Sequence, residues 1–328
     1  PDTIRRPSPF SEAQETMKQL LLAVSLSLVA ATAAHADLRA LVDEATLRQI
    51  AAETSGEAAK RNLDTIALQH RMRASEQFME ATRHIEQQLE DYGVDKVEIL
   101  RYPADGKTMF GTQKSRPVWK VRFAELWEVE QVDGAAQRVR RLGDWDSVPL
   151  TLAQDSLSAE VTAALVDIGA GTSEADYEGR DVHGKLVLTS SQPGAIVDLA
   201  VGREGAAGIV SYAPNQRSAW WKEDDRLVRW GHIGSFPKTK SFGFMVSLGE
   251  ARRLQQRLAA GEEILLHARV DASHEKGSYE FVTAEIEGTD SKDEIIHYTC
   301  HPVSYTHLRA HETERLISYA VFCLKKRG

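Results

Sequence analysis

The stretch "DYGVDKVEILRYPADG", Asp91 to Gly106, decides how the chain is built. Just upstream, Met72, Phe78, Met79, Ile85 and Leu89 recur at helical spacing and predict one apolar face of a long helix. Asp91-Tyr92-Gly93 closes that helix, the glycine supplying the left-handed cap that side chains with a Cβ resist. "DKVEILRYPADG" then reads as a strand and a turn. A helix that hands over to a strand through a glycine cap predicts an α/β layer.

Working outward, Leu38, Leu41, Val42, Leu47 and Ile50 predict an earlier helix, broken at Ser55-Gly56. Downstream the pattern becomes strand-rich. "VWKVRFAELWEVE", "VTAALVDIGAG", "GKLVLTS" and "AAGIVSYA" are short β segments punctuated by Gly, Asp and Pro, and only "GAIVDLAVGREG" between the last two reads as helical. The block from Leu142 to Leu248 predicts a smaller domain inserted into the first. Leu248 to Ala260 is again an amphipathic helix, closed by Gly261. "EEILLHARVDA", "SYEFVTAEIEG" and "DEIIHYTCH" predict three final strands, the last ending at His301.

Both ends of the chain read as something other than folded domain. "MKQLLLAVSLSLVAATAAHADL" begins at Met17 with a positive Lys18, an apolar run from Leu20 to Val29 and a small-residue cleavage site at Ala34-His35-Ala36. That is the grammar of a secretory signal peptide. A transmembrane anchor needs about 20 apolar residues, and this run is shorter. Residues 1–16 read as upstream DNA translated in frame. At the other end, Val303 to Thr313, "VSYTHLRAHET", resembles one frame of a transposase-type sequencing adapter, and Ile317 to Leu324, "ISYAVFCL", resembles the flow-cell end of the same adapter DNA. His307 and His311 lie four apart, a spacing that puts both rings on one helix face as in catalytic zinc sites. In translated adapter that spacing carries no chemistry.

The expected mature stretch, Asp37 to His301, is about 265 residues, enough for a sizeable core in one to two domains. Without residues 1–16 (net −1), Lys18 and the tail from Val303 (net +3), the formal charge of −8 becomes −11. An acidic exported protein without a basic stripe argues against nucleic acid as a partner, and signal cleavage leaves no membrane segment. Cys323 belongs to the adapter-like tail, so Cys300 stands alone and the core, rather than a disulfide, must carry stability. GxSxG, phosphate-loop and CxxC patterns are absent from the sequence, which removes serine-hydrolase, nucleotide and redox readings.

The order of the pieces resembles a known family. "GRDVHGKLVLTSSQPGAIVDLAVGREGAAGIVSYA" resembles a protease-associated (PA) domain, and "YEFVTAEIEGTDSKDEIIHYTCH" resembles the segment that follows it in co-catalytic zinc aminopeptidases, metallopeptidase family 28. The resemblance implies an α/β/α zinc-peptidase layer, present here in its N-terminal part only, with an inserted small β-rich PA domain. It divides the chain into residues 1–16 (read-through), 17–36 (signal peptide), 37–141 (first part of the peptidase domain), 142–248 (PA-like insert), 249–301 (peptidase domain resumed) and 302–328 (adapter-derived). It further implies two zinc ions and a peptide substrate in the intact parent, and a periplasmic or secreted location. His301 takes the position of the first zinc ligand, usually followed two residues later by Asp; Val303 stands there instead. The residues alone equally allow a capping or core histidine at a strand end. A catalytic zinc takes three protein ligands, so the chain as it stands is expected to be inactive and to hold no zinc, and no catalytic residue is assigned. The alternative is a non-catalytic PA-type protein-binding module on a degenerate peptidase scaffold.

Other candidates are weaker. In "SAWWKEDDRLVRWGHIGSF", Trp220, Trp221 and Trp230 either wall a substrate cleft, with Asp224 or Asp225 meeting a substrate amine, or pack the small domain's core beside a solvated charged turn. His274-Glu275 lacks a second histidine. Glu262-Glu263 imitates the family's Glu pair but precedes His301. His84 is expected on the surface of its helix.

Overall fold

A computed structural model describes residues 43–213, 224–288, 294–300 and 324–327. The expected leader, Trp220, Trp221, His301, His307 and His311 lie outside the described residues. The chain divides into two compact units, residues 1–61 and 62–328. In the first, α1 (Glu44–Glu53) starts where Asp43 accepts the backbone N–H of Thr46, and it ends at Thr54. Helix α2 (Gly56–Ala67) begins there and runs into the second unit. No described helix is long and apolar enough to cross a membrane.

The second unit is mixed α/β, as the helix-to-strand handover predicts. Helix α3 (Glu76–Asp91) is capped by Ser75, whose hydroxyl accepts from the Phe78 N–H, and it buries Phe78, Ala81, Thr82 and Leu89. Gly93 closes it at φ +74°, the left-handed conformation expected of it. Met72 is not on this helix. Ala74 at φ +56° turns the chain before Ser75, and Met72 instead enters a core with Trp119 and Leu126.

Helix α3 packs on a four-stranded sheet made of β1 (Val97–Ala104), β11 (Gly277–Glu287), β13 (Leu324–Arg327) and β12 (Ile295–His297), in that spatial order. Strand β12 ends at His297, short of the His301 predicted from its apolar run. Its isoleucines, Ile295 and Ile296, are both exposed. Alternate residues of β11 differ in the same way: Glu280 and Ala284 are buried, whereas Phe281 is exposed and meets the equally exposed Tyr102 edge to face.

A seven-stranded sheet forms the larger layer. Its spatial order is β5 (Ala135–Asp144), β4 (Val118–Val132), β10 (Leu265–Glu275), β6 (Ala159–Asp167), β7 (Leu186–Thr189), β8 (Gly208–Ser211) and β9 (Gly243–Met245). The first four pair antiparallel and the last four parallel. Residues 142–248, read as an insert, contribute β6 to β9, while β4, most of β5 and β10 come from either side of them. A short hairpin, β2 (Met109–Phe110) and β3 (Gln113–Lys114), precedes β4.

The parallel half is apolar on both faces, as parallel strands covered on each side must be. Leu186, Leu188, Val210 and Phe244 point into one core with Leu254 of α5 (Leu248–Ala259). Val187, Ile209 and Met245 point into a second core with Ile196 of α4 (Pro193–Val197), which continues as one π-helical turn over Asp198–Arg203. Gly208 has no room for a side chain, since a Cβ would sit 2.4 Å from the Phe242 ring. Helix α5 is held to β4 by ions as well: Arg253 Nη2 donates to Glu128 Oε2 at 2.6 Å and Arg257 donates to Glu128 Oε1. Burial alone pushes the Glu128 carboxyl up, but hydrogen bonds from the two arginines outweigh it and hold its pKa low.

Phe244 is fully buried at the meeting of β9 and α5. Phe244→Ala should cost about 3–5 kcal/mol, the usual range for an emptied aromatic site. Urea unfolding followed by tryptophan fluorescence reads the loss, and an unchanged midpoint would show that this core does not carry the sheet.

Candidate functional site

A buried polar cluster surrounds Asp155, which no motif in the sequence marks. Asp155 follows the short chain crossing at Leu152–Gln154, where Ala153 N–H donates to the Gly243 carbonyl and Gln154 N–H to that of Gly231. Those bonds turn Asp155 into the left-handed region, φ +67°, a conformation Asp tolerates better than most residues. Its carboxylate is 3% exposed. Oδ1 meets His274 Nε2 at 2.9 Å, and Oδ2 accepts the Ser235 hydroxyl at 3.0 Å. Arg73 completes the cluster, with Nη2 at 3.8 Å from Oδ2 and 3.4 Å from Ser235 Oγ. A buried carboxylate is expensive unless paired and hydrogen-bonded, and here three segments share the task.

His274 is placed by the same cluster. It is the penultimate residue of β10 and its ring binds Asp155, while its neighbour Glu275 forms a 2.6 Å ion pair with Arg122. His232 borders the cluster, stacked on Trp230 with ring centroids 4.7 Å apart. Its Nδ1 is buried and makes no hydrogen bond among the described residues. Burial holds the His232 pKa below the ordinary histidine range; the Asp155 charge opposes this, and Arg116 and Arg73 add to it. At neutral pH the ring is therefore uncharged.

The remaining candidates are dispersed. Asp224 accepts the Arg226 N–H in a local turn, and the Asp225 backbone carbonyl accepts Gly249 N–H at the start of α5. Glu262 pairs with Arg257 at 2.7 Å, on the exposed foot of β10. His84 is not a plain surface residue: it is half-buried, and its Nε2 is enclosed without a hydrogen bond among the described residues. Cys300 is partly buried and is not in a disulfide. No group of three or more His, Cys, Asp or Glu among the described residues could hold a metal ion. His301, the first candidate zinc ligand, lies outside the described residues.

No family model and no curated protein matches the chain. Among solved structures it is similar to an aminopeptidase from Aneurinibacillus sp. strain AM-1 (21% identity, 71% of this chain, 48% of that one, TM-score 0.43). It is similar also to a peptidase M28 precursor from Shewanella amazonensis SB2B (15% identity, 72% and 52%, TM-score 0.49). A third is BSAP, a zinc aminopeptidase from Bacillus subtilis (15% identity, 67% and 45%, TM-score 0.40). The chain spans about half the length of the structures it matches. At these scores the likeness carries no argument about the site.

The His232 environment sets a pH dependence. A histidine whose pKa falls on folding favours the native state fully above its unfolded pKa, near 6.5, and that advantage is lost as pH falls through the lowered value. The melting temperature should therefore drop on acidification from neutral pH, and His232→Gln should flatten part of that slope. Equal slopes in both proteins by differential scanning fluorimetry would remove His232 from the account.

Proposed function

We propose that the chain is the N-terminal part of an exported zinc-dependent aminopeptidase. It carries a PA-like insert at 142–248 and lacks most of the metal ligands that the resemblance implies, so it is inactive. In this reading residues 17–36 are a signal peptide, residues 302–328 derive from adapter DNA, and His301 is the first zinc ligand of the intact parent. Zinc in that parent would polarise the scissile carbonyl and supply hydroxide near neutral pH.

One observation carries the reading: the first part of the segment whose sequence resembles the peptidase, Gly277–Glu287, forms β11 beside β1, in the sheet on which α3 packs. The chain leaves that sheet after β1 and returns to it with β11, on the far side of residues 142–248, which is the order of pieces on which the resemblance rests. The described residues themselves supply binding and framing surfaces; none is assigned a catalytic step.

The test is to read the native gene past His301 and to express both forms. The continued chain should show Asp two residues after His301 and hydrolyse an aminoacyl p-nitroanilide in a chelator-sensitive way. The chain of 328 residues should be inactive and retain substoichiometric zinc by plasma mass spectrometry. Tight stoichiometric zinc in this chain, or a native continuation without acidic ligands, would sink the proposal.

A further inference from the structure

The smaller sheet is buried on one face and wet on the other. Side chains alternate between the faces along β1 and β11, and the register, Arg101 opposite Glu280 and Tyr102 opposite Tyr279, sorts them. Glu280 and Ala284 mark the buried face. The opposite face carries Tyr102, Tyr279 and Phe281. Tyr102 is 42% exposed and Phe281 48% exposed, yet their rings meet edge to face at 5.7 Å. Tyr279 reaches Phe281 at 6.5 Å. The β2–β3 hairpin extends the surface, with Phe110, 39% exposed, against Tyr102 at 5.9 Å and exposed Met109 beside it. Rings that touch one another while staying wet make one contiguous apolar patch, the kind that marks an interaction site.

The patch has an acidic end and a basic end. Where β1 begins and β11 closes, Glu98, Glu285 and Glu287 share the aromatic face by the same alternation, and they outnumber Lys96, which pairs with Glu287 at 3.6 Å. About 20 Å away along the strands, at about 3.3 Å per residue, the chain turns into the hairpin. Exposed Lys107, Lys114 and Arg116 border the rings there and outnumber Asp105, whose carboxylate is occupied by the N–H groups of Lys107 and Thr108. Tyr279 fastens Arg116 to this end, its hydroxyl accepting from the Arg116 N–H at 2.9 Å and donating to its carbonyl at 2.8 Å.

We infer that this face docks a second copy of the chain, the two sheets packed face to face about a two-fold axis that crosses the strands. Turned end for end, each copy lays its acidic end over the basic end of the other and buries the rings between them. The two-fold makes every such contact twice. An axis along the strands would stack acid on acid, and like charges brought together disfavour it. Packed sheets lie about 10 Å apart, a gap that aromatic side chains fill from both sides. The inference uses only the described strands and hairpin and does not rest on the peptidase reading.

Sedimentation velocity of the 328-residue chain in reducing buffer should show a reversible dimer. Glu98→Lys and Lys114→Glu should each raise its dissociation constant at least about tenfold, because each brings like charges together twice. Mixed in equal amounts, the two variants should recover the dimer, since each altered end then meets an opposite charge on the other copy. Phe281→Ser should give a monomer with the circular dichroism of the parent; if it does not fold, the two charge reversals and their mixture decide. A parent that stays monomeric at roughly 0.1 mM would overturn the inference. So would a mixture that fails to recover the dimer, or a dimer that survives all three substitutions and has therefore formed elsewhere, as at the β12 edge.

Discussion

Strand β10 is the member on which the second unit hangs. It is bonded along both edges, to β4 on one side and β6 on the other, and so joins the antiparallel half of the large sheet to its parallel half. Its own continuation becomes β11 after a single residue, Lys276. Alternate side chains, Leu266, Ala268, Val270 and Ala272, are buried in the core that α5 closes. From Leu265 to Val270, where both edges are paired, no backbone N–H or C=O is left to water, and this fixes its register and that of its neighbours. The bulge between Asp271 and Ala272 is where this long strand bends before it changes sheets.

Much of this was legible in the residues. The glycine caps at Gly93 and Gly261 stand at positive φ after helices of the expected span. "GKLVLTS" and "AAGIVSYA" form β7 and β8, with the helical turn of α4 between them. Pairing across distance was less legible. Nothing in "EEILLHARVDA" announces that it will lie between β6 and β4, a strand that precedes the whole 142–248 block, because strand partners are chosen by tertiary packing. Met72 shows the same limit on a small scale. Its spacing suits the helix, but Ala74 breaks the backbone in front of it, and the side chain finds Trp119 instead.

The polar site was less readable still. His274 stands out in the sequence for its neighbour Glu275, yet its partner is Asp155, 119 positions away. Asp155 sits in "AQDSLS", where no periodicity or metal spacing marks it; the one available signal is that Asp tolerates the left-handed conformation a tight crossing imposes. Arg73 carries no signal at all, because any arginine on a helix foot reads as solvated. His301, the residue the sequence singled out, follows a strand that stops four positions before it.

The rim formed by β12 has a practical side. Its two isoleucines stand half bare at the border of a sheet whose aromatic surface, Tyr102 with Phe281, is also wet. Natural edge strands are usually guarded by charge, proline or a covering helix, and Ile295-Ile296 follows directly on Lys292-Asp293-Glu294 in the sequence. Those charges immediately precede the border at which a second chain would add most readily to the sheet, far from the tightly filled interior around Phe244.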